Sequence, residues 1–196
     1  LTSDYFRARE TAALLALPEA GWYTDFYLRE REWGEIDTLT HEERMTLHAS
    51  SMARRKADSF YWSPPGGESM AHLCNRLKWV LHTLHREMGG KRVVIVCHGE
   101  VMWGFRVLVE RMDSDRFLEL DRSPDPRLRI LNGHVLHYTR TDPKTGEIHP
   151  YVGHMRQVCP WDLGSQPGEW HSISRPRFSN DDLLRTVERV PRPIHE

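Results

Sequence analysis

Lys91-Arg92-Val93-Val94-Ile95-Val96-Cys97-His98-Gly99-Glu100 is the stretch that decides the fold. Residues 92–97 are almost continuously apolar and β-branched, the pattern of a strand buried on both faces of a parallel sheet. His98 and Gly99 stand where this run ends, and a helical pattern follows from about Val101 to Arg111. Open α/β sheets bind their ligands in the crevice at the carboxyl ends of the strands. Topology therefore puts His98 in a site rather than in a core.

Working outward, Met70, Leu73, Leu77, Val80, Leu81, Leu84 and Met88 share one face of a long helix that Gly89-Gly90 ends. Ser63-Pro64-Pro65-Gly66-Gly67 before it is a loop on composition. Further upstream, Thr40-His41-Glu42-Glu43 has the spacing of a capping box. It opens a polar helix to about Asp58 that carries Arg54, Arg55 and Lys56. Trp22 to Leu28 is predicted as a short strand, and Ser3 as the N-cap of a helix from Asp4 to about Leu15. Downstream, Phe117-Leu118 is a short apolar segment. Leu128 to Thr139 alternates as a strand, with Ile148 to Val152 as its hairpin partner. Residues 160–196 are rich in Pro, Gly and Ser, with one short helix near Asn180 to Val190. This predicts an α/β domain over 1–159 and a Pro-rich C-terminal arm over 160–196, laid on the surface or used as an oligomer contact.

Composition narrows the function. Lys+Arg is 27 against Asp+Glu 28, so no global field favours nucleic acid or an anionic membrane. An anionic ligand must be held by a local group of cations. The longest apolar run falls far short of a membrane span, and no signal-peptide pattern opens the chain. The cysteines number three and are widely spaced, which points to a reducing, cytoplasmic setting. Six residues after Cys97 stands Trp103, so the Cys-x5-Arg loop of a cysteine phosphatase is absent. Adjacent at a strand end, Cys97 and His98 point to opposite faces and do not form a dyad. His82 and His85 share a helix face without a third ligand, and His134 and His137 lie on opposite faces of a strand. No metal or other cofactor is expected.

Four segments in order carry a resemblance: Thr2-Ser3-Asp4-Tyr5-Phe6-Arg7-Ala8-x-x-Thr11-Ala12, Leu28-Arg29-Glu30-Arg31-x-Trp33-Gly34, Gly67-Glu68-Ser69 and Val94-Ile95-Val96-Cys97-His98-Gly99. Together they resemble the motifs of the histidine phosphatase superfamily, the phosphoglycerate mutase-like group that includes fructose-2,6-bisphosphatase. The resemblance implies a three-layer α/β/α sandwich with a mostly parallel central sheet. It implies metal-independent hydrolysis of a phosphomonoester through a phosphohistidine, with a mutase as the variant. A phosphate-binding module without turnover is the alternative.

By the same resemblance, Arg7 and Gly99 bind the phosphate, Glu30 is the acid and later the base, and His98, as a protonated imidazole, stabilises the phosphoryl group in flight. Substrate specificity is expected from Arg31, Arg54, Arg55, Tyr61 and Trp62. An aromatic lip at Tyr61-Trp62 replaces the basic residues that fructose-2,6-bisphosphatases carry there. The implied partner is a small phosphorylated metabolite, and a homo-oligomer is left open. The family's nucleophile is a histidine in an Arg-His-Gly triplet, and that triplet does not occur in these 196 residues. The expectation is that it lies upstream of Leu1, on the strand that occupies the middle of the sheet.

Overall fold

The amphipathic stretch after Ser69 forms the longest helix of the protein's computed structural model, which describes residues 1–164 and 166–188. This helix, α4 (Met70–Glu87), starts where the Ser69 hydroxyl accepts the amide of His72. Its stripe of Met70, Leu73, Cys74, Leu77 and Val80 is buried against Val101 and Phe105 of α5 (Gly99–Glu110). Gly104 makes the close approach possible, because a Cβ there would stand 2.5 Å from Leu77 Cδ1. Truncating a fully buried leucine of this seam, such as Leu73, costs about 2–5 kcal/mol. The seam holds the beginning of α5, and with it His98, at a fixed height.

Beside the helices runs a short parallel ribbon. Strand β1 (Thr2–Ser3) pairs with β2 (Thr24–Asp25), and on its other edge Thr2 bridges Val96. Helix α1 (Phe6–Leu14) follows β1 and buries Ala8 and Ala12. Leu15, just past its end, is exposed.

The expected strand over 92–97 is corrected by this geometry. The amide of Val96 donates to Leu1 O (3.0 Å), Ser3 N donates to Val96 O (2.9 Å), and the amino terminus donates to Val94 O (2.8 Å). All of these bonds lie along one edge. Among the described residues no backbone partner engages Val93, Ile95 or Cys97 on the other. A run like this is buried on both faces only inside a ladder covered on both sides. Val93 and Val94 are accordingly 37% and 45% exposed.

Three further expectations shift. The 22–28 strand shortens to β2 and turns into a 3-10 helix over Phe26–Leu28, because the Asp25 carboxylate accepts the amide of Tyr27 and caps a turn instead. The capping box at Thr40 and Glu43 forms, but the helix breaks at His48 into α2 (His41–Leu47) and α3 (Ala49–Ala57). The segment at Phe117-Leu118 is helical, as α6 (Ser114–Asp121).

The chain then builds an antiparallel sheet of β3 (Val135–Thr139), β4 (His154–Val158) and β5 (His171–Ser172). Among the described residues Ile148 forms a single bridge, to Thr141, so residues 148–152 belong to the turn and 154–158 are the strand partner. Helix α7 (Asn180–Glu188) matches the tail helix, whose expected last residues, with the rest of 189–196, lie outside the described residues. No helix among the described residues is long and apolar enough to cross a membrane.

Candidate active site

Segments 2–7, 27–34, 62–76 and 96–100 come together at the carboxyl end of the ribbon, and polar contacts weld them. Arg76, on α4, donates to the carbonyl of Tyr27, to Arg29 O (2.9 Å) and to Glu30 O (3.2 Å). The same guanidinium grips both oxygens of Glu68 at 2.8 and 2.9 Å. One cation thus fixes the backbone of the loop that presents Glu30. Arg29 in turn forks onto Asp4, with Nη2 2.6 Å from Oδ2, and brings that loop beside the start of α1. The loop is also clasped to 64–68: Glu68 N donates to Glu32 O (2.8 Å) and Glu35 N to Pro65 O (2.9 Å). Gly34 sits at φ +54, where a Cβ would lie 2.1 Å from Pro65 O, so only glycine fits.

His98 is 7% exposed. Its Nε2 lies 2.9 Å from the hydroxyl of Ser3, which is fully buried. The Tyr5 ring meets the imidazole edge-on with centroids 5.2 Å apart, and the Arg7 guanidinium lies 4.8 Å over the same Tyr5 ring. Burial first, then the charges of Arg7 and Arg76, push the His98 pKa down to about 4. The free site therefore holds a neutral imidazole at pH 7, and not the protonated one that the resemblance implied. An anion seated between Arg7 and His98 would favour protonation again.

Glu30 accepts the amide of Arg31 at 2.9 Å. Burial raises its pKa above the usual carboxylate range, and the Glu100 carboxylate pushes the same way, against the Arg31 amide and the Arg7 charge. A carboxyl held up by burial is suited to give and retake a proton near neutral pH. Gly99 is exposed as the first residue of α5, where unpaired amides favour an anion. Arg7 is exposed near the first turn of α1, and no described residue bonds its guanidinium. Cys97 stays apart from this chemistry, because burial pushes its thiol up to about 12.

The expected specificity residues divide. Arg54, Tyr61 and Trp62 line a cavity of about 510 Å³ together with Ala57, Asp58 and Ser63. Arg55 lies 5.0 Å over the Trp33 ring and 5.6 Å over Trp62. Arg31 is different: it is 5% exposed and donates to Glu68 O (2.8 Å), Trp62 O (3.2 Å) and Glu100 Oε2 (3.3 Å). All three of its nitrogens are engaged inside the protein and the side chain is buried, which corrects the expectation that it faces substrate.

Several contributors escaped the sequence reading. Ser3 was expected as an N-cap, yet α1 begins after Tyr5 with no side-chain cap, and the Ser3 hydroxyl turns to His98. Arg76 carried a usable signal: a cation at i+3 from Leu73 and i−4 from Val80 stands on the apolar stripe of α4. Tyr5 and Glu100 had no signal of their own. Among the described residues no group of three or more His, Cys, Asp or Glu side chains is arranged to hold a metal ion.

A family model described as the histidine phosphatase superfamily (branch 1) matches residues 1–132. Human 6-phosphofructo-2-kinase/fructose-2,6-bisphosphatase 3 is 33% identical over 101 residues, which is 52% of this chain and 18% of that protein. The 2,3-bisphosphoglycerate-dependent phosphoglycerate mutase of Methylobacterium radiotolerans is 29% identical over 143 residues, 70% of this chain and 64% of that one. This chain thus spans only about a fifth of the length of the first group of relatives. Among solved structures, mycobacterial glucosyl-3-phosphoglycerate phosphatase with inorganic phosphate superposes with a TM-score of 0.55 at 20% identity, covering 88% of this chain and 73% of that one. The α-ribazole phosphatase of Shigella flexneri gives 0.53 at 20%, covering 59% and 58%. These likenesses show the α/β, phosphoglycerate mutase-like fold.

Proposed function

Because the chain belongs to the histidine phosphatase superfamily, we propose that it transfers a phosphoryl group from a small phosphorylated metabolite to a histidine and then to water, without a metal. A mutase is the variant in which a second substrate hydroxyl takes the place of water. In this reading Arg7 and the amide of Gly99 hold the phosphate, and His98 donates to the phosphoryl oxygens as charge moves onto them. Glu30 protonates the leaving oxygen and then deprotonates the attacking water. Phosphoryl transfer asks a protein mainly for positioning and charge stabilisation, and these groups supply both. No Arg-His-Gly triplet occurs in these 196 residues, and in this reading the nucleophilic histidine is assigned to chain preceding Leu1. We infer a cytoplasmic setting from the three free thiols of Cys74, Cys97 and Cys159, and substrate selection at the cavity of Arg54, Tyr61 and Trp62.

One observation carries the reading. Tyr5 stands 5.2 Å from the His98 ring and 4.8 Å beneath Arg7, while Arg7 acts electrostatically on both His98 and Glu30. Arg7, Glu30 and His98, far apart in the chain, are thus near enough to influence one another, which supports a shared role in holding one small anion.

The test uses the protein with its natural N-terminus, incubated with a labelled aryl phosphate and quenched in alkali. Base-stable, acid-labile label on the wild type, sharply reduced in His98→Ala and Arg7→Ala, is the expected result. Vanadate binding with neither label nor turnover would replace the enzyme by a phosphate-binding module. Absence of both would end the reading.

A further inference from the structure

Ser3 has no part in the proposed chemistry, yet it is the residue that holds the imidazole. Its backbone is pinned on two sides: Ser3 N donates to Val96 O at 2.9 Å, and its Cα pairs with Asp25 in the ribbon. The side chain therefore leaves a rigid strand. Its oxygen accepts the amide of Tyr5 (3.3 Å) and lies 2.9 Å from His98 Nε2.

A hydroxyl has one proton and two lone pairs. The Tyr5 amide occupies one lone pair, so the proton must go to an acceptor or be buried without one. Among the described residues, His98 Nε2 is the only acceptor that engages this hydroxyl. Were Nε2 protonated instead, both lone pairs would be filled and the hydroxyl proton of a fully buried serine would have no partner. The nitrogen that bears hydrogen in a neutral imidazole is set by the bond that the other nitrogen makes.

We propose that Ser3 is a positioning residue for His98: its hydroxyl donates to Nε2, fixes the Nδ1–H tautomer, and leaves Nδ1–H as the one ring donor free for the phosphoryl group. This deepens the reading given above and rests on it only for the identity of the group that Nδ1–H meets. No described residue bonds His98 Nδ1. In the anion-free site the ring, with its pKa lowered to about 4, is neutral at pH 7, so its tautomer decides whether it presents a donor or an acceptor to an arriving anion. A ring with an Nε2–H would turn a lone pair toward the phosphate and repel it.

The experiment needs no turnover. Full-length protein labelled with 15N-histidine is examined by long-range 1H–15N correlation at pH 7.5, with the His98 signals assigned by their loss in His98→Gln. Wild type is expected to show a protonated Nδ1 and a bare Nε2. Ser3→Ala is expected to shift the ring toward Nε2–H, and Ser3→Thr, which restores the hydroxyl, to return it. An Nε2–H ring in the wild type, or a Ser3→Ala ring unchanged from it, overturns the proposal. If Ser3→Ala does not fold, the wild-type spectrum decides alone, since a bare Nδ1 there is incompatible with it. Where turnover is present, Ser3→Ala should lower kcat roughly 10- to 100-fold, as loss of an orienting partner typically does, with KM little changed. A protein that shows the Nδ1–H ring but no phosphatase activity sinks the functional reading and leaves this one standing.

Discussion

Arg31 and Arg7 come from two motifs of the same family pattern, and the structure uses them in opposite ways. Arg31 is buried, and each of its nitrogens is spent on Glu68 O, Trp62 O or Glu100. Around it lie the clasp of 32–35 against 65–68 and the rings of Trp33 and Trp62, at 4.9 and 5.7 Å. Arg7 stands exposed over Tyr5, and no described residue bonds its donors. The first region is complete without a ligand. The second is the set of charges to which the proposed function assigns the anion. Arginine suits both uses, because its planar fork satisfies carbonyls and carboxylates as readily as phosphate.

The contrast can be broken most forcefully at Arg31. Arg31→Met leaves two carbonyls and the Glu100 carboxylate without their donor, and removing one partner of a buried ionic network costs about 3–5 kcal/mol. Chemical denaturation should show that loss, and a stable Arg31→Met would mean that the cradle is not what holds the loop. Arg7→Gln should do the reverse. Its cation–π contact is exposed, so stability should change by less than about 1 kcal/mol, whereas turnover should fall roughly 10²–10³-fold. Equal losses of stability in the two variants would erase the distinction.

His98 gives the next effect, in the pH dependence of stability. Its folded pKa of about 4 lies below the ordinary value of 6.5. The unfolded chain therefore takes up a proton first as the pH falls. Stability is undiminished above about pH 6.5 and is lost progressively toward pH 4, by about 3 kcal/mol in all. The slope of unfolding free energy between these pH values should flatten in His98→Gln. It should also flatten in saturating phosphate, if the anion returns a proton to the ring. A wild-type profile level across this window would mean that the imidazole is not buried as described.

How far the sequence alone reached follows the same division. The helices α4 and α5 were legible because their apolar faces repeat at helical spacing and meet each other. His98, Arg7 and Glu30 were legible only because four spaced segments appear in order, since each alone looks like a surface residue. The run at 92–97 misled, because apolar β-branched residues announce a capacity for burial on both faces, and the ladder here runs along one edge. Ser3 misled for a related reason. A serine before a helical pattern reads as a cap, and nothing local reveals that its hydroxyl serves a histidine 95 positions away. Arg31 read as a ligand-facing cation because its partners, at 62, 68 and 100, are remote in the chain.

Glu100 lies where the two regions touch, and it gives the smallest and most discriminating effect. Its carboxylate takes one bond from Arg31 (3.3 Å) and, through its charge, raises the pKa of Glu30. Glu100→Gln keeps an oxygen for Arg31 but removes that charge, so the cradle should hold while Glu30 becomes easier to ionise. Burial, the larger cause of the upward shift, remains. The pKa should therefore fall part of the way and stay above the ordinary carboxylate value. If Glu30 must be protonated to release the leaving group, activity falls as pH rises through its pKa. The alkaline limb of kcat/KM should then move to lower pH in Glu100→Gln, with the acid limb unmoved. A limb that stays in place while a 13C titration shows the Glu30 pKa lowered would take Glu30 out of the acid role and leave that limb to another group. A Glu30 pKa that does not change at all would mean that the scaffold and the site are electrostatically separate.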